Sequence, residues 1–116
     1  MGRKNVLQPY QVISGASLVG STTSLVTNVQ QLDRVAYDVV WAGSGGVTGT
    51  LFVDAQVAPV LGTWTPLDID PMPVATDSGN HMITIETADF VNIRLRYVGS
   101  TGTGLISAYI SGSGVA

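Results

Sequence analysis

The sequence predicts an all-β protein: a single-domain antiparallel β-sandwich, jelly-roll-like, with an extended N-terminal segment. Three observations carry that expectation. Apolar residues recur at every second position in several short runs, as they do along a strand with one buried face. Helical spacing is nearly absent, and Val, Thr and Ser accompany 14 Gly and 5 Pro, a composition of strands and turns. A length of 116 residues suits one domain with a modest core.

Strand-like runs fall at 11–13, 24–28, 36–41, 49–55, 63–67, 81–86, 91–98 and 104–111. In the third, Tyr37, Val39 and Trp41 share one side, with Asp38 and Val40 opposite. In the fourth, Leu51, Val53 and Ala55 oppose Phe52 and Asp54. Val91, Ile93, Leu95 and Tyr97 alternate with Asn92, Arg94 and Arg96. The expected core therefore includes Tyr37, Val39, Trp41, Leu51, Val53, Ile83, Ile85, Ile93, Leu95 and Tyr97. Gly43, Gly45 and Gly46 read as a hairpin between the third and fourth runs, and Gly99, Gly102 and Gly104 as a hairpin between the last two. Pro59, Pro66, Pro71 and Pro73 mark a long irregular connection. Residues 8–31 carry no charge, so 1–31 reads as an N-terminal arm or edge strands and 32–116 as the sandwich domain. An uncharged, β-prone segment lacks the usual protection against edge pairing, which favours contacts beyond its own domain.

Charge bounds the function. Only 11% of residues are charged, against about 25% in ordinary soluble domains, so much of the surface is expected to be covered by protein. Five Lys and Arg in a chain of net charge -3 argue against a nucleic-acid partner. No apolar run approaches the roughly 18 residues of a membrane span, and the start MGRKN lacks an apolar signal core. The absence of cysteine excludes disulfides and thiolate metal sites, and fits a reducing compartment.

Catalytic chemistry is sparse. His81 is the only histidine, after Ser78-Gly79-Asn80, and reads as a turn residue. No Gly-x-Ser-x-Gly elbow is present, and Gly99-Ser-Thr-Gly-Thr-Gly lacks the Lys and strand-to-helix setting of a phosphate loop. No enzyme activity and no cofactor are expected. Asp68, Asp70 and Asp77 in the Pro-rich stretch are the one group of carboxylates able to gather Ca²⁺, although Asp and Pro are also ordinary turn residues. Arg94 and Arg96 read as ion-pair partners for acids such as Asp38, Asp54 or Glu86, across strands or across an interface, with a carboxylate- or phosphate-reading pair on the exposed face as the alternative. Trp41, Trp64, Tyr37, Tyr97 and Tyr109 are candidates for a sugar platform, of which Trp64 is the least constrained by core alternation.

The segments Gly62-Thr-Trp64-Thr-Pro-Leu67-Asp68, Ile83-Thr-Ile85, Val91-Asn-Ile93-Arg94-Leu95-Arg96-Tyr97 and Gly102-Thr-Gly104-Leu105-Ile-Ser-Ala108-Tyr109-Ile110 stand out together. Over roughly 36–115 this pattern of packing residues resembles a module of small virion proteins of tailed bacteriophages. The resemblance implies a compact β-sandwich within a phage particle, made in the host cytoplasm. It implies a capsid decoration or cement protein whose partners are the major capsid protein, other virion proteins or copies of itself. A tail, head–tail junction or fibre component is the alternative, and a carbohydrate-binding adhesin module is another.

Overall fold

The computed structural model describes residues 4–57, 63–67, 72–87 and 89–115. Eight antiparallel strands carry them: β1 (Lys4–Ser17), β2 (Ser21–Thr23), β3 (Thr27–Asn28), β4 (Arg34–Gln56), β5 (Thr65–Pro66), β6 (Met72–Val74), β7 (Ser78–Glu86) and β8 (Asn92–Val115). No described residue is helical.

The two longest strands, β4 and β8, pair from Arg34↔Ser113 to Gln56↔Asn92. At about 3.3 Å per residue, a straight strand as long as β4 would reach roughly 75 Å. The longest dimension of the molecule is 52 Å, so the ribbon must fold over. It bends where glycines of both strands meet, at 43–47 and 99–104. Gly46 and Gly102 sit at φ +79° and +84°, which a residue with a Cβ rarely adopts. Thr101 Oγ1 lies 2.6 Å from Thr48 Oγ1 and donates to the Gly46 carbonyl at 2.6 Å, tying the two corners together.

Folding the ribbon creates two facing layers. The first has the order β1, β8 (105–115), β4 (34–44), β7. In the second, β2 and β3 flank β8 (92–98), which pairs with β4 (49–56), and β5 and β6 close the far side. This is a jelly roll. The two expected hairpins are therefore absent: 36–41 does not turn back on 49–55, and 91–98 does not turn back on 104–111. Each pair of runs is one strand crossing between layers. A glycine-rich stretch between two alternating runs serves a tight reversal or a corner equally well, and only the neighbouring strand decides.

The corner also sets which side chains point inward. In β4, four steps from Ser44 to Thr48 oppose two steps in β8, so the inward residues stay odd: Val35, Tyr37, Val39, Trp41, then Leu51, Val53, Ala55. In β8, two steps from Gly99 to Thr101 oppose one in β4, a bulge that reverses the alternation. Ile93, Leu95 and Tyr97 are buried before it, and Ile106, Ala108 and Ile110 after it. All ten expected core residues are buried in one cluster. Among them, burial pushes the ionisation of Tyr37 well above the ordinary tyrosine range.

Within residues 4–29, β1, β2 and β3 are edge strands of this same chain. Val12, Ile13, Leu18 and Val29 enter the core that the alternating runs were expected to build alone. Tyr97 Oη donates to the Leu18 carbonyl at 3.2 Å, and Ser24 Oγ accepts from Leu95 N at 2.9 Å. Residues 72–74, expected as irregular connection, form β6 at the edge of the second layer, the position where a strand tolerates Pro73. His81, expected in a turn, lies within β7 opposite Val39.

Two outcomes follow from this packing. Leu95→Ala, at a site with no exposure, should cost about 2 to 5 kcal/mol in a denaturant titration. Removing residues 1–19 takes three core residues with it, and circular dichroism should show loss of the cooperative thermal transition.

Candidate functional site

Outward from the second layer, the register of β4 and β8 builds a ladder of polar pairs. Phe52 faces Arg96, Asp54 faces Arg94, and Gln56 faces Asn92. Asp54 is only 2% exposed although it points away from the core. Arg94 Nε donates to its Oδ2 at 3.0 Å, Arg96 Nε to the same oxygen at 3.0 Å, and Arg96 Nη2 to Oδ1 at 3.2 Å. The Arg94 guanidinium lies 4.4 Å from the centre of the Trp64 ring, and that of Arg96 lies 4.3 Å from the centre of Phe52. Asn92 Nδ2 donates to Gln56 Oε1 at 3.1 Å.

The arrangement follows from elementary electrostatics. A buried carboxylate needs opposite charge and hydrogen bonds to remain ionised. Burial alone pushes the Asp54 carboxyl up, but the hydrogen bonds and charges of Arg96 and Arg94 reverse this and hold it below its ordinary value. The flat guanidinium planes meanwhile rest on aromatic faces, each such contact contributing about 0.5 to 2 kcal/mol. Trp64 reaches this place because Thr65 pairs with Ala55 at the start of β5. Arg94, Arg96 and Trp64 thus converge on one site whose centre is Asp54. Asp38 and Glu86, the other acids considered, lie in the first layer on β4 and β7. One face of the Trp64 ring is covered by the Arg94 guanidinium. Trp41, Tyr37 and Tyr97 are core, with the Trp41 indole N–H donating to the Thr76 carbonyl at 2.9 Å.

Of the calcium candidates, Asp68 and Asp70 lie outside the described residues. Asp77 accepts with one oxygen, Oδ1, from the N–H groups of Gly46 (3.0 Å) and Val47 (2.9 Å), which fastens the corner. Among the described residues no three His, Asp or Glu side chains gather as a metal site would require.

The outer face of the first layer has a different character. Its registered rows carry Arg34, Ala36, Asp38, Val40 and Ala42 on β4, with Leu105, Ser107, Tyr109, Ser111 and Ser113 on β8. Ser78, Asn80, Met82, Thr84 and Glu86 complete it on β7. Val40, Met82, Leu105 and Tyr109 are large, apolar and exposed. An open groove runs between Val40, Ala42, Leu105, Ser107 and Tyr109. The face was not apparent in the sequence: its positions are the polar-looking half of each alternation, and the bulge in β8 moves Leu105 and Tyr109 onto it.

The Asp54 cluster makes a pH-dependent contribution. Its folded carboxyl titrates below the unfolded value of about 3.9, so its stabilisation is present above that pH and is lost as pH falls through the folded value. Asp54→Asn, which leaves two arginines facing each other, should cost about 3 kcal/mol near pH 7 by denaturant titration. The difference from the native protein should shrink below about pH 4.

No protein-family model matches the sequence, and no curated protein matches it significantly. Solved structures do share the fold. A chain of the infectious bursal disease virus Gx strain superposes with TM-score 0.61 at 15% identity, over 97% of this chain and 32% of the viral one. The present chain thus spans about a third of that protein. The SPBc2 prophage-derived protein YomS matches with TM-score 0.59 at 12% identity, over 96% of this chain and 95% of YomS. A chain of Broad Bean Stain Virus matches with TM-score 0.54 at 14% identity, over 78% and 61% of the two chains. At these identities the likeness is one of fold.

Proposed function

We propose that this chain is a structural component of a virion, a capsid decoration or cement protein that packs on the major capsid protein and stabilises the shell without catalysis. A fold by itself does not define a function. The observation that carries the reading is the outer face of the first layer. Four strands about 4.8 Å apart and some nine residues long present roughly 600 Å², of the order of the 800 Å² per partner in a stable interface. Within that area Asp38 is the one charge away from the end row of Arg34 and Glu86. Val40, Leu105 and Tyr109 stand on it exposed. A solvated face normally carries charges of both signs, and a face of this kind fits burial against another protein. The likeness of fold to chains of two viruses and to a prophage-derived protein supports the same reading. On a symmetric lattice, modest affinity per copy is amplified by multivalency where neighbouring copies are linked.

The test is localisation and occupancy. Cryo-EM of particles carrying the protein should place it on the outer capsid shell, with the 105–109 face toward the major capsid protein. Leu105→Asp puts a charge on an exposed site, so melting should change by only a few degrees while occupancy on the shell falls at least about tenfold, the effect of losing about 1.4 kcal/mol. Density on the tail or the head–tail junction instead would support a different virion role. Absence from the particle would remove the virion reading.

A further inference from the structure

The first layer has two edge strands, and they differ in kind. β1 shows three register shifts against β8, between Leu7 and Tyr10, Gln11 and Ile13, and Ile13 and Ala16, and it contains Pro9. Bulges and proline are the usual devices that blunt an edge against pairing. β7 has none of them. Its nine residues pair with β4 without a shift, from Arg34↔Glu86 to Ala42↔Ser78. It contains no Pro and no Lys, and its one charge, Glu86, is at the end. Among the described residues no strand pairs with its outer side. Alternate N–H and C=O groups along that side stand ready to receive another strand.

We infer that β7 is a dimerisation edge, taken up by β7 of a second copy in antiparallel pairing about a two-fold axis at Met82, so that two four-stranded layers become one continuous sheet. Met82 is the midpoint of the strand, and only this centring lets all nine residues pair. On the outer face Met82 then meets Met82 of the second copy, Asn80 meets Thr84, and Ser78 meets Glu86. On the inner side His81 meets Ile83. No carboxylate faces another across the new pair. Asp38 is the neighbour of Met82 on β4, so the two Asp38 residues are separated by three strand spacings, about 14 Å. That exceeds the Debye length of about 8 Å at physiological salt, which leaves little repulsion. Met82 is 58% exposed in the single chain, and in the pair its side chain packs beside that of Met82 from the second copy.

The difference between the edges also selects a closed dimer. Pairing β7 with β1 of another copy would be head-to-tail and would propagate, but the shifts in β1 interrupt the ladder that it would need. Pairing β7 with itself uses the same patch on both copies and stops at two. This inference does not depend on the virion reading, since it rests on the edge and not on the outer face.

Sedimentation of the full chain at about 200 µM, well above the micromolar Kd expected of a one-strand interface, should give twice the 12.1 kDa chain mass. Met82→Lys should sediment as a monomer with its melting transition retained, because Met82 is exposed in the single chain. Gln11→Lys, on the β1 edge, should remain dimeric. Amide exchange should show the outward N–H groups of β7 protected in the native protein and released in Met82→Lys. A monomeric native chain at that concentration overturns the proposal. So does a dimer that persists in Met82→Lys, a dimer broken by Gln11→Lys, or any assembly larger than two.

Discussion

The molecule depends on one constraint: two strands of 23 and 24 residues are hydrogen-bonded along their length and must bend at the same place. Neither can fold over alone without breaking the ladder that satisfies its backbone. The glycines of both strands therefore coincide, and other parts of the chain are anchored where they meet. Leu18 N donates to the Gly104 carbonyl at 2.9 Å, Gly99 N to that of Gly20 at 2.8 Å, and Gly43 N to that of Asp77 at 2.7 Å. Together with the Asp77 carboxylate, these bonds bring the ends of β1 and β7 to the corner. A Cβ added at Gly43 would overlap the carbonyl oxygen of Thr103, so the close approach of the two strands itself requires glycine there.

The corner distributes the few charges that the chain has. It places Asp54, Arg94 and Arg96 on the outside of the second layer, where three of the charged residues neutralise much of each other's field against Trp64 and Phe52. Asp77 is used at the corner itself. The first layer is left with an outer face nearly free of charge. The low charge content thus has a spatial expression. One face is closed by a polar network of its own, and the other leaves Val40, Leu105 and Tyr109 exposed.

Edges and faces also divide the possible interactions. β1 is bulged against β8, while β7 pairs with β4 without a shift. An edge offers backbone groups, which pair with a strand of almost any sequence. A face offers side chains, which require a partner of complementary shape. One small domain thus sets a regular edge beside an apolar face, two surfaces of different chemistry.

The sequence by itself determined the class of structure and most of the core. Period-two alternation is a local property of strands, so Tyr37, Val39, Leu51, Val53, Leu95 and Tyr97 are legible as inward residues without knowledge of their neighbours. It also marked Arg94 and Arg96 as co-facial and offered Asp38, Asp54 and Glu86 among their possible partners. The tertiary structure decided the rest. Whether a glycine stretch reverses a strand or carries it into a second layer depends on the strand beside it, and local sequence is the same in both cases. Hence the corners at 43–47 and 99–104 were not legible as corners. The choice of Asp54 over Asp38 and Glu86 followed from them, because the fold sends those two acids to the other layer. The uncharged segment before residue 31 was opaque for a related reason. Bulges break its alternation, so Val12, Ile13 and Leu18 show no strand period and are identified as core only by their pairing with β8 or their contact with the corner.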